Sequence, residues 1–132
     1  SFNHYSYGAI GDWLYRVVAG IDTYPDEPGY KHISIKPHPG GELSYANADL
    51  KTYYGTVSSH WKVDNGSVEL DVVIPANTRA TVYIPANSPD LVKESGIDLK
   101  SARGIRIIAQ EANYVAVEVG SGKYHFVSRV MK

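Results

Sequence analysis

The 132-residue sequence contains no cysteine. That excludes a disulfide scaffold, a thiolate metal centre and a cysteine nucleophile, and it leaves the compartment open. Net charge is nearly absent too: 13 Lys and Arg against 14 Asp and Glu give −1 at pH 7. The basic residues are scattered, so neither a long-range field nor a phosphate-tracking stripe forms, and nucleic acid is not an expected partner. No apolar run approaches the ~20 residues that a membrane helix needs, so no membrane partner is expected either. The opening Ser1-Phe2-Asn3-His4-Tyr5 has neither the basic n-region nor the cleavage site of a signal peptide. It runs almost directly into a helical pattern, which reads as the start of an excised fragment. Phenylalanine is scarce, with 2 residues against 11 tyrosines. Tyrosine suits half-buried strands, one end apolar and the other wet, and it also suits sugar binding.

What is present fits a single core of ordinary size. Hydrophobic residues make up 43% of the chain, too many for a disordered segment. A chain of this length buries roughly two-thirds of its unfolded surface. Helical periodicity occurs once, over about Tyr5 to Ala19, where Ile10, Trp13, Leu14, Val17, Val18 and then Ile21 recur at helical spacing. Asn3 or Ser6 can cap its start, and Gly20 sits where a left-handed residue ends a helix. Gly8 and Gly11 would each cost ~1 kcal/mol inside this helix, which points to another backbone packed very close. The helix is apolar around most of its circumference, so more than one side should be covered.

After a turn-rich linker, Asp22 to Gly29, the period switches to two. Strands are expected over Tyr30–Lys36, Leu43–Thr52, Gly55–Val63, Ser67–Ile74, Arg79–Ile84, Leu91–Lys93, Ile105–Ala109, Tyr114–Val119 and Lys123–Val130. Asn65-Gly66 predicts a type I′ hairpin, and Pro75-Ala76-Asn77 and Pro85-Ala86-Asn87 predict turns. The expected fold is mainly β, an antiparallel β-sandwich of jelly-roll or Greek-key type preceded by one N-terminal α-helix.

Candidate chemistry is sparse. His4 admits two readings, a capping or packing residue and a hydrogen-bond donor to a hydroxylated ligand with Phe2, Tyr5 and Tyr7 nearby. His32, His38, His60 and His125 lack metal-ligand spacing, so no metal and no cofactor are expected. His32 is out of phase with Ile33 and Ile35 and is expected to face solvent. Sugar hydrolysis needs two facing carboxylates with one held protonated. Asp12, Asp22, Asp26, Glu27 and Glu42 are candidates by type alone, and no pair stands out. Trp61, flanked in sequence by Tyr53 and Tyr54, reads as a core anchor or as a sugar-stacking platform, the first being the commoner role of a strand tryptophan.

The segment from Ser1-Phe2-Asn3-His4-Tyr5 through Trp13-Leu14-Tyr15-Arg16 to Ile21 closely resembles the last helix of the catalytic barrel in bacterial α-L-rhamnosidases, glycoside hydrolase family 78. Pro28-Gly29-Tyr30-Lys31-His32-Ile33 and Ile35-Lys36-Pro37-His38-Pro39-Gly40-Gly41 resemble the start of that family's C-terminal β-sandwich. Tyr54-Gly55-Thr56-Val57-Ser58-Ser59-His60-Trp61 and the stretch Ile74 to Pro85 continue the likeness, which beyond Asn87 rests on strand pattern. The resemblance implies that residues 1–27 are the last helix of an (α/α)6 barrel and a linker, and residues 28–132 the sandwich. It implies a parent that releases terminal α-L-rhamnose from glycosides with inversion, using two acids upstream of this segment. The chain alone would then be an inactive accessory domain whose main partner is the missing barrel. His4 matches a histidine that contacts rhamnose in the family. The alternative function is a carbohydrate-binding module built on Trp61, Tyr53 and Tyr54. The apolar helix, bared in isolation, would drive self-association.

Overall fold

A computed structural model describes residues 21–23, 31–37, 45–52 and 55–129. The helix expected over residues 5–19 lies outside them, as do His4, Tyr53 and Tyr54. The described residues are mainly β, with eleven strands and no α-helix among them.

In chain order the strands are β1 (Ile21–Thr23), β2 (Lys31–Ile35), β3 (Tyr45–Thr52), β4 (Gly55–Asp64), β5 (Ser67–Ile74) and β6 (Thr78–Pro85). They continue as β7 (Val92–Glu94), β8 (Ile97–Asp98), β9 (Ile105–Gln110), β10 (Tyr114–Val119) and β11 (Gly122–Arg129). One sheet has the order β1-β2-β6-β10-β9 and the other β3-β4-β5-β11-β7-β8. Alternation decides which face is buried. On β4 the residues Val57, Ser59 and Trp61 point inward, while Ser58, His60 and Lys62 point outward. The inward residues of both sheets meet in one core holding Ile33, Ile35, Val82 and Val117 from the first sheet and Trp61, Leu70, Val72 and Phe126 from the second.

Turn chemistry places the crossings. Asn65 and Gly66 both have positive φ, 49° and 81°, as a type I′ turn requires, and they close the β4–β5 hairpin. Asn77, at φ 57°, turns the chain from β5 in one sheet to β6 in the other. Thr78 steadies that turn by donating its hydroxyl to the Ala76 carbonyl. The Ser128 hydroxyl of β11 then donates to the Pro85 carbonyl at the end of β6, a buried hydrogen bond between the two sheets.

Three features depart from expectation. Ile21 was expected to continue the helical spacing and Asp22 to open a linker, but both belong to β1, which pairs with β2 as Ile21 opposite Ile35. Ile21 is 1% exposed and its strand placement puts it in the core. The five-stranded sheet therefore includes Ile21–Thr23, ahead of the turn-rich segment. Second, the pairing is not wholly antiparallel: β2 and β6 run parallel, Lys31 opposite Thr78 through Ile35 opposite Val82. The chain between them builds three strands of the opposite sheet, a crossover long enough to return in the same direction. Third, His32 faces away from the core but is only half exposed, with Nε2 3.0 Å from Thr81 Oγ1 on β6.

Candidate functional site

Trp61 is 1% exposed and sits in the core between the sheets. Its indole has no face available to a sugar arriving from solvent, so of the two readings of Trp61 its burial fits the core anchor. Its Nε1–H and the Ser59 hydroxyl are buried without a hydrogen-bond partner among the described residues.

The outward face of the six-stranded sheet is far more polar. In β3, β4 and β5 the register sets Tyr45, Lys62 and Glu69 in one row and Asn47, His60 and Asp71 in the next, which His125 of β11 extends. Lys62 Nζ lies 3.0 Å from Glu69 Oε2, leaning toward β5. His60 Nε2 instead lies 2.8 Å from Asp49 Oδ1, leaning toward β3. His125 Nδ1 contacts Asp71 Oδ1, and its Nε2 lies 4.0 Å from Glu69 Oε1. The opposed leanings open a depression of about 260 Å³ lined by Tyr45, Asn47, His60, Lys62, Glu69 and Asp71, with the strand at Trp61 as its floor. Tyr45 stands at its rim, 62% exposed.

Sequence reading considered only His60 of these residues, and only as a metal ligand. Strand phase marks each as outward-facing, but their convergence depends on which strands are neighbours. Among the described residues, no three His, Asp or Glu side chains are arranged to hold a metal ion. Asp49, beside the depression, is not set up as a general acid. Hydrogen bonds from Ser58 and His60 hold the Asp49 carboxyl below its usual range, the opposite of what a general acid requires.

A second depression, about 350 Å³, lies at the end of the five-stranded sheet. There Arg79 and Arg106 approach Glu118 Oε1 at 3.6 and 3.5 Å. On the outward face of this sheet Lys36 Nζ sits 4.8 and 4.9 Å from the ring centres of Tyr83 and Tyr114. The Tyr114 hydroxyl donates to the Pro37 carbonyl at 2.9 Å, tying β10 to the end of β2.

Residues 20–97 match the bacterial α-L-rhamnosidase C-terminal domain, a match that spans more than half the chain and runs from β1 through β7. The chain belongs to this family. As an α-L-rhamnosidase C-terminal domain it has relatives along nearly its whole length. An α-L-rhamnosidase of Formosa agariphila is 37% identical over 129 residues, which is 98% of this chain and 14% of the relative. The crystal structure of the Streptomyces avermitilis α-L-rhamnosidase complexed with L-rhamnose superimposes with a TM-score of 0.75 at 37% identity, over 98% of this chain and 12% of that one. The α-L-rhamnosidase from Dictyoglumus thermophilum gives the same TM-score, 0.75, at 31% identity, over 93% of this chain and 14% of that one. The C-terminal domain thus spans a small fraction of each protein it matches.

Proposed function

We propose that this chain is the non-catalytic C-terminal part of an α-L-rhamnosidase-like glycosidase and braces the barrel that carries the chemistry. The observation that carries this reading is the pairing of near-complete coverage of this chain with 12–14% coverage of its relatives. The polar groups of the sandwich support it. Among the described residues the carboxylates of the six-stranded face lie on an open sheet surface, and Asp49 is held ionised. The parent would release terminal α-L-rhamnose from glycosides with inversion, its acid and base lying upstream of Ser1. Residues 1–27 would supply the last barrel helix and linker, joined to the sandwich through β1, and His4 would contact the sugar in the barrel.

The test is direct. The purified 132-residue chain should release no chromophore from an aryl α-L-rhamnoside, and measured turnover would sink the accessory reading. In the complete enzyme, Trp61→Ala should lower the temperature at which activity is lost while leaving KM for the aryl rhamnoside unchanged at low temperature. An unaltered inactivation temperature would remove the bracing role. His4→Ala in the same enzyme should raise KM or lower kcat, and unchanged kinetics would take His4 out of the sugar site.

A further inference from the structure

The depression on the six-stranded sheet combines features that narrow its ligand class. Asp71 meets His125 through Oδ1, and its carboxylate lines the depression together with the Asn47 carboxamide. Lys62 and Glu69 offer donors and acceptors beyond the bond they share. Two carboxylates in the wall, Glu69 and Asp71, repel a phosphate, a sulfate or a nucleic-acid backbone. The Lys62 ammonium disfavours a bare cation in the same space. The lining mixes apolar surface with charged and amide groups, so a pure hydrocarbon ligand would leave the polar groups desolvated without partners. A ring bearing several hydroxyls and one C–H face satisfies all of these terms, because each hydroxyl both donates and accepts while the C–H face lies on an aromatic ring. A volume of about 260 Å³ suits one such ring, lying just under the ~300–1,000 Å³ of ordinary small-ligand clefts.

We propose that this depression is a binding subsite for one neutral pyranose unit, with Tyr45 as the stacking face and Asn47, Lys62, Glu69 and Asp71 as partners of its hydroxyls. The subsite does not depend on the bracing role; family membership guides only the choice of probe sugars. It lies on the six-stranded sheet, whereas β1 belongs to the five-stranded one. Such a site acts by keeping an oligosaccharide near the enzyme rather than by taking part in cleavage.

The experiment is an NMR titration of the ¹⁵N-labelled 132-residue chain with L-rhamnose, D-galactose, D-glucose and D-mannose in turn. Each sugar is taken to about 100 mM, where a millimolar site is nearly saturated. At least one should give saturable shifts confined to residues 45–47, 60–62 and 69–71. Tyr45→Ala and Asp71→Asn should each weaken that binding about tenfold while leaving the dispersed spectrum of a folded chain intact. Arg106→Ala, on the other sheet, should leave it unchanged. The subsite is overturned if none of the four sugars gives saturable shifts, if the shifts map elsewhere, or if both pocket variants bind as the parent does. None of these outcomes bears on rhamnoside hydrolysis or on heat inactivation of the complete enzyme.

Discussion

Trp61 carries both a large gain and a local cost. Its ring fills the space between the sheets, yet its Nε1–H is buried without a partner. Truncation to Ala should cost about 3–5 kcal/mol of folding stability, as for other buried Trp residues. Trp61→Phe should cost under ~2 kcal/mol, because it keeps most of the apolar ring and removes a donor whose desolvation is uncompensated. Urea denaturation of both variants checks this, and equal losses would show that the indole N–H finds a partner in solution. Tyr114 sets a different dependence. Burial first, and the Glu111 charge second, raise its pKa above the ordinary 10.0. A raised folded-state pKa means that the unfolded chain loses this proton first as pH climbs. The contribution is therefore complete below about pH 10 and disappears as pH passes through the folded value. Tyr114→Phe should begin about 1 kcal/mol less stable for want of the bond to the Pro37 carbonyl. Its melting temperature should then fall less between pH 9 and 11 than that of the parent. A parallel fall would assign the alkaline limb to other groups.

Between elements, the tie from Ser128 to the Pro85 carbonyl joins β11 of one sheet to β6 of the other. Ser128→Ala should cost about 1 kcal/mol, read as a lower denaturant midpoint with an unchanged slope. At this scale the sequence was most readable where local chemistry acts alone. The bounds of β5 and β10 follow from alternation, and the Asn65-Gly66 turn follows from its two residues. It was least readable where a partner far along the chain decides. Three residues at Ile21–Thr23 carry too little pattern to declare a strand, and Ile21 also suits a helical period. Only pairing with β2 resolves the choice. The same limit hid the polar depression. Tyr45, Asn47, Lys62, Glu69 and Asp71 are ordinary outward residues on their own strands, and they form a cavity only because β3, β4 and β5 are neighbours in one register. Trp61 was legible as a core residue from its phase with Val57, against the pull of its aromatic neighbours in sequence.

For the whole molecule, the helix expected over residues 5–19 lies outside the described residues, and its sequence pattern would leave an apolar side bare in the isolated chain. Sedimentation of the isolated chain should show concentration-dependent self-association, and removal of residues 1–19 should yield a monomer that keeps the β-rich circular dichroism spectrum. A monomeric parent chain would contradict this. The parallel pairing of β2 with β6 has a consequence for how such a protein is made. A ribosome delivers β1 and β2 first, but their partner β6 emerges 47 residues later, counting from Lys31 to Thr78. At usual elongation rates that is a wait of roughly 2–9 s. Throughout it, the β1–β2 hairpin has both edges open and no sheet to join. On the proposed reading, a barrel synthesised beforehand would stand tethered to this unfinished hairpin until translation had passed the middle of the sandwich.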